Sequence, residues 1–219
     1  LAFEELLTMQ LAVLSRRQAS EAGASLPVLK PGTGILESFL ASLPFGLTGA
    51  QSRVLEEVLG DMAGGGRPMS RLLQGEVGSG KTVVALAALL TAATCGYQGA
   101  IMAPTEILAE QHFLTVDRLL EGLTRPLKEE HLLSVHLEPS PRPVTIGLLL
   151  GSMTAARKRK MHALLAEGSL DIAIGTQALI QEGVDIPRLA LAVVDEHHRF
   201  GVLQRAALRQ RGESPHLLV

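Results

Sequence analysis

Asp195 and Glu196 stand together at the end of the apolar run "LALAVVDE", and His197, His198 and Arg199 follow at once. Carboxylates at the mouth of a buried strand can hold a hard cation through oxygen, whereas a histidine pair points to zinc. Adjacent histidines on a regular element diverge, and the one cysteine, Cys95, is far off in sequence, so the usual tetrahedral zinc set does not assemble. An oxygen site for magnesium is therefore expected at Asp195, provided that another segment supplies a further ligand and a use for the metal.

That segment is "GEVGSGKT", in which Gly75, Gly80, Lys81 and Thr82 satisfy the spacing G-x-x-x-x-G-K-[ST]. Gly75, Gly78, Ser79 and Gly80 form a loop whose backbone N–H groups can turn inward around an anion, with the positive end of the following helix aimed at the same point. Lys81 is expected on the β- and γ-phosphates of a nucleoside triphosphate and Thr82 on the magnesium ion, with Asp195 completing the metal site. Glu196 is then the candidate general base that polarises the attacking water. A mere glycine-rich turn is the alternative, and the eight-position match between a strand ("RLLQ") and a helix ("VVALAALLTAA") argues against it.

Such a site requires elements that deliver loop and carboxylate to one place. Short apolar runs, "MSRLLQ", "GAIMAP", "VTIGLLLG", "DIAIGT", "LALAVVDE" and "HLLV", recur with helical stretches between them. Strands alternating with helices imply an α/β, doubly wound, mainly parallel sheet with helices on both faces. Ahead of it, Phe3, Leu6, Leu7, Leu11 and Leu14 recur at steps of three and four and predict an amphipathic helix, whose partner surface can lie outside this piece of chain. "EAGASLPVLKPGTG" reads as a linker, so residues 1–30 are expected to be a linker helix and connector and residues 31–219 the α/β domain. The proline-containing segment Glu121 to Pro143 breaks the rhythm and is expected to be an irregular surface insertion.

With 219 residues, 47% of them hydrophobic, the chain can bury a full core. Its 20 basic and 22 acidic side chains nearly cancel, so any polyanion site must be a local patch. Cys95 lies in an apolar run, which implies a packing role and a reducing compartment rather than a catalytic thiol. The most apolar run, Val83 to Cys95, is shorter than the roughly 20 residues needed to span a bilayer, and no signal peptide is visible, so a cytoplasmic protein without membrane contact is expected. A first residue Leu1 and an apolar end, "PHLLV", look like a piece of a longer protein.

The phosphate loop and the Asp-Glu-x-His box together resemble the superfamily 2 helicases and translocases. "PFGLTGAQ" (Pro44 to Gln51) resembles the adenine-reading motif of that group, "APTEILAEQH" (Ala103 to His112) its motif Ia, and "IGTQALIQEGV" (Ile174 to Val184) its motif Ib region. "FEELLTMQL", "LLLGSMTAARKR" and "DEHHRFGVLQR" are similar to the RecG-type bacterial ATP-dependent DNA helicases, which remodel forks and branched junctions. The likeness runs from the first helix to the edge of motif III. It implies a RecA-like fold, ATP and Mg²⁺ as cofactors, branched DNA as substrate, and a second RecA-like domain and a junction-binding domain as partners elsewhere in the full-length protein.

Residue by residue, the resemblance places Gln51 on the adenine edge, where an amide can donate and accept at once. A helix-capping role for Gln51 is also open, and Phe45 has both base-stacking and core readings. Thr105 and Thr176, at strand-to-helix turns, suit phosphate oxygens of a DNA strand or act as simple helix caps, and the two roles are compatible. Arg157, in "RKRK", belongs either to the strand-tracking surface or, the favoured reading, to a solvated helix face. His197, His198 and Arg199 are expected to couple the nucleotide to the rest of the motor, with ordinary loop contacts and an ion pair as the alternatives. RecG-type helicases usually carry glutamine where His197 stands, which puts that polar contact in doubt. Two other classes stay open: another P-loop enzyme such as a small-molecule kinase, and an interaction module with a nucleotide site that does not hydrolyse.

Overall fold

The computed structural model describes residues 2–21, 28–30, 32, 34–64, 68–76, 78–180, 183–195 and 215–219. Helix α1 (Ala2–Glu21) forms where the periodicity predicts it, yet Phe3, Leu6, Leu7, Met9 and Leu11 are all exposed. Its apolar stripe is therefore a property of the helix alone, with no core beneath those five residues. Two helices follow, α2 (Ile35–Ser42) and α3 (Gly49–Ala63).

The α/β part then runs as β1 (Ser70–Arg71), α4 (Lys81–Thr94), β2 (Gln98–Met102), α5 (Glu106–Leu119), β3 (Thr124–Glu129), β4 (Leu132–His136), β5 (Val144–Leu149), α6 (Ala155–Ala166), β6 (Ile172–Gly175), a 3₁₀ turn (Gln177–Ile180), β7 (Leu189–Val194) and β8 (His216–Leu218). All six apolar runs picked out by pattern are strands. They lie in one eight-stranded sheet of order β1-β8-β7-β2-β6-β5-β4-β3. Pairings from β1 through β5 are parallel. Strands β2 and β6 are buried along their whole length, as a strand covered on both faces must be. One face of the sheet carries Ile101, Ile146, Leu148, Ile172, Ile174 and Leu191 into a core with α2 to α5. The other carries Ala100, Met102, Ala173, Ala192 and Val194 against Met161 and Leu165 of α6 and Leu179. Helix α4 is buried from Val83 to Ala93, which explains why it is apolar on every side.

The segment Glu121 to Pro143 corrects the sequence reading. It is no irregular insertion: β3 and β4 form an antiparallel hairpin that widens the sheet, β4 pairing with β5 from Leu132–Gly147 to Val135–Val144. Leu132, Leu133 and Val135 are buried, so this short run gains enough apolar contact to override the prolines around it. Pro126 lies in the edge strand β3, where a missing N–H costs least.

Few polar side chains among the described residues enter the core. Gln98 is fully buried: its Nε2 donates to the carbonyls of Leu165 and Leu170, both at 2.9 Å, and its Oε1 accepts from the Arg188 N–H at 3.2 Å. Asp171, 1% exposed, accepts from Arg142 Nη2 at 2.8 Å and from the Thr145 N–H at 2.8 Å. Cys95 donates to the Lys30 carbonyl, and burial pushes its thiol up.

Replacing Gln98 by leucine removes a bond from three main-chain groups at once, of which the Leu165 carbonyl keeps the Gly168 N–H. At about 1–3 kcal/mol for each buried group left unpaired, with partial relaxation, Gln98→Leu is expected to lower stability by about 2–4 kcal/mol in urea unfolding. A loss under about 1 kcal/mol would show that those groups re-pair without it.

Candidate nucleotide and strand site

Because β1, β2, β5, β6 and β7 run parallel, their carboxyl ends open on a single edge of the sheet. In open α/β sheets that edge is where ligands bind, since loops leave the strands there and helices begin with their N–H groups free. The loop of Gly75 to Gly80 follows β1, Thr105 follows β2, Ser152 and Thr154 follow β5, Thr176 follows β6, and Asp195 follows β7.

Beyond β1 the chain stays beside β8, since the Leu73 N–H donates to the Val219 carbonyl at 2.7 Å. Arg71 bonds Asp61 and Glu57 of α3, each at 2.6 Å, and the guanidinium holds the Asp61 carboxyl below its ordinary range. The helix and strand that precede the loop are thereby tied together. Gly78 and Gly80 have φ of +82° and +80°, a region that favours glycine. A Cβ on Gly80 would lie 2.3 Å from Gln51 Nε2, and one on Gly75 would lie 2.6 Å from Ser79 Oγ. Space beside Gly75 and Gly80 is therefore already taken by polar atoms, while Gly78 is open. Lys81 Nζ donates to the carbonyls of Gly75 (2.7 Å) and Glu76 (2.9 Å), which places the ammonium over the loop.

Gln51 has two partners. Its Oε1 accepts from the Thr48 N–H at 2.8 Å while its own N–H donates to Thr48 Oγ1 at 3.3 Å, a reciprocal capping box at the start of α3. Its Nε2 donates to the Ser79 carbonyl at 2.8 Å. The capping reading of Gln51 is thus realised, with a link to the phosphate loop that the sequence did not reveal. Phe45 is exposed, not core.

Asp195 is held at two points. Its N–H donates to the Met102 carbonyl at 2.9 Å, and its Oδ2 lies 2.8 Å from His112 Nε2 on α5. His112 received no role from sequence. The signal was there: Ala109, Phe113 and Val116 form the buried stripe of α5, and an ionisable side chain at position 112 flanks it.

Thr105 caps α5, its Oγ1 accepting from the Leu108 N–H at 3.3 Å, and Thr176 Oγ1 accepts from the Ala178 N–H at 3.4 Å. The capping readings of both threonines hold. Thr105 is exposed and Thr176 half-buried. Arg157 pairs with Glu130 at 2.8 Å and Lys160 with Glu129 at 3.1 Å, so the tip of the β3–β4 hairpin lies against the basic helix. Glu106 Oε1 accepts from the Ser152 N–H at 2.9 Å and so joins the start of α5 to the turn after β5. Glu196, His197, His198 and Arg199 lie outside the described residues.

The donor chemistry suits a triphosphate and a hard cation: glycine backbone and a lysine ammonium for phosphate, a hydroxyl at Thr82 and a carboxylate at Asp195 for the cation.

The Ser152 hydroxyl, followed by the N–H groups of Ser152 and Gly151, holds the Glu106 carboxyl below its ordinary range. A lowered folded pKa means that the tie between α5 and the β5 turn is present above the ordinary carboxylate range and is lost as pH falls through the lowered value. The Ser152 amide proton, followed by NMR, should therefore titrate below the midpoint of an exposed glutamate. A midpoint at or above that of an exposed glutamate would mean that the bond does not persist in solution.

Comparison with known proteins agrees with this geometry. The chain is 44% identical over 218 residues to the ATP-dependent DNA helicase RecG of Synechocystis sp., covering 100% of this chain and 24% of that protein. Against RecG of Bacillus subtilis the identity is 43% over 216 residues, with 99% and 29% covered. A solved structure of RecG bound to a three-way DNA junction superposes with a TM-score of 0.75 at 36% identity, covering 99% of this chain and 26% of that one. The chain thus spans about a quarter of the length of these relatives. A family model described as DEAD/DEAH box helicase matches residues 48–214, from the Thr48 cap through β7 and Asp195. On that match, the chain belongs to the DEAD/DEAH box helicase family.

Proposed function

We propose that this chain is the nucleotide-binding first motor domain of a longer ATP-dependent DNA helicase or translocase, acting in the cytoplasm on forks and Holliday junctions during repair and recombination. The observation that carries the reading is the common edge on which the loop of Gly75 to Gly80, Asp195, Thr105 and Thr176 meet. The whole-chain similarity to RecG supports the choice of DNA over other polyanions.

In this reading the loop N–H groups and the start of α4 bind the β- and γ-phosphates of ATP, and Lys81 exchanges the Gly75 and Glu76 carbonyls for phosphate oxygens. Thr82 and Asp195 hold Mg²⁺, which when bound neutralises charge on the phosphates. Glu196 orients and deprotonates the attacking water. Gln51 reads adenine by giving up one of its two present partners, so base binding and the Ser79 contact are in exchange. Thr105 and Thr176 meet the backbone of one strand, which tracks DNA without reading sequence. Arg157 joins them once phosphate replaces Glu130, a half-exposed ion pair that costs little to give up. His197, His198 and Arg199 couple the nucleotide to the neighbouring motif. A second RecA-like domain would supply the arginine finger, worth on the order of 10³ to 10⁵ in related NTPases, so this domain alone is expected to hydrolyse slowly and not to unwind.

The test is ATPase turnover of the full-length protein with and without forked DNA, repeated with Lys81→Ala and Glu196→Gln. Forked DNA should raise wild-type turnover, and each variant should lose roughly 10²-fold or more. Turnover indifferent to DNA would favour another P-loop enzyme, such as a small-molecule kinase. Full rates in both variants would remove the active-site assignment.

A further inference from the structure

The contact between His112 and Asp195 belongs to no step of that reading. Asp195 ends β7 and His112 lies on α5, 83 residues earlier, yet Nε2 and Oδ2 are 2.8 Å apart with the two side chains 21% and 36% exposed. An ionised carboxylate only accepts, so Nε2 carries the proton and donates. The carboxylate is thus fixed from both ends, its backbone by Met102 and its side chain by the imidazole. Helix α5 rests on the core through Ala109, Phe113 and Val116, so its first turn and His112 keep a fixed relation to each other. Its first turn holds Thr105 and, through Glu106, the turn at Ser152. About 9 Å of helix separates Glu106 from His112 at 1.5 Å per residue.

We propose that His112 is a positioning residue: it sets the Asp195 carboxylate for magnesium and ties it, through one rigid helix, to the turn at Thr105 that meets the DNA strand. The proposal rests on the helicase reading above. A hydrogen-bond partner behind a metal-binding carboxylate fixes its orientation, and loss of such a partner commonly costs about 10- to 100-fold in metal affinity. A displacement of Thr105 by bound DNA reaches Asp195 through this contact.

The experiment measures binding of a fluorescent ATP analogue to the full-length protein, titrated with Mg²⁺ and repeated in EDTA, with and without forked DNA. His112→Ala should shift the Mg²⁺ dependence of analogue binding about 10- to 100-fold to higher concentration and leave binding in EDTA unchanged. His112→Gln, whose amide nitrogen can donate as Nε2 does, should recover most of the shift. Forked DNA should change the Mg²⁺-dependent affinity less in His112→Ala than in the wild type. An unaltered Mg²⁺ dependence in His112→Ala overturns the positioning role, and an equal DNA effect in both proteins overturns the link through α5. Asp195→Asn separates the two levels. If it abolishes the Mg²⁺ dependence while His112→Ala does nothing, only the role of His112 falls. If it too changes nothing, the magnesium site falls with it.

Discussion

The pairing of β2 with β7, in register from Gly99–Leu191 to Met102–Val194, brings both strands to an end at the same level, and the Asp195 N–H closes that level on the Met102 carbonyl. Everything at the site is measured from this step. Helix α5 leaves β2 one turn beyond it, β6 ends beside it at Gly175, and β8 carries the register across to β1 and the phosphate loop. A one-residue slip would point Asp195 at the opposite face and strip both cores of their alternating residues. The hydrophobic pattern of the central strands therefore specifies the position of a carboxylate as well as the core.

Around this frame the polar contacts share a character. Gln51, Glu106, Arg71 and His112 each connect an element to a neighbour that is distant in sequence, and each sits near the same edge of the sheet. The buried pairs made by Gln98 and Asp171 instead tie β2 to α6 and β5 to β6, where no ligand is expected. The members of the first set are partly solvated, so their bonds break at little cost. Breaking the second set leaves groups unpaired in the core. The two sets thus differ in what it costs to break them.

What was legible in the sequence followed from locality. The phosphate loop is eight consecutive residues, and the parallel strands announce themselves as apolar runs because both their faces are covered. The caps by Thr105 and Thr176 were visible for the same reason, being contacts over two or three residues. The β3–β4 hairpin was misread, since Pro126, Pro139, Pro141 and Pro143 signal irregular chain while its pairing depends on β5. The link from Gln51 to Ser79 spans 28 residues and that from His112 to Asp195 spans 83, distances over which spacing carries no information. Helix α1 was expected from its period, but a period states which side is apolar and not what lies against it.

The misread hairpin also changes how the molecule behaves toward copies of itself. Among the described residues the sheet has two margins, β1 and β3. Without the hairpin, β5 would be a margin: six residues, five of them buried apolar or glycine positions, offering an unpaired ladder to any passing chain. The hairpin replaces it with β3, which carries Arg125, Pro126, Lys128 and Glu129, so charge and a missing donor stand where a smooth hydrophobic strand would have been. At the other margin β1 is only two residues long. A sheet whose interior is almost wholly apolar thus meets solvent at the β3 margin with charged side chains and a proline, features that disfavour edge-to-edge pairing, and Pro126 is also one of the residues that made the segment look unstructured.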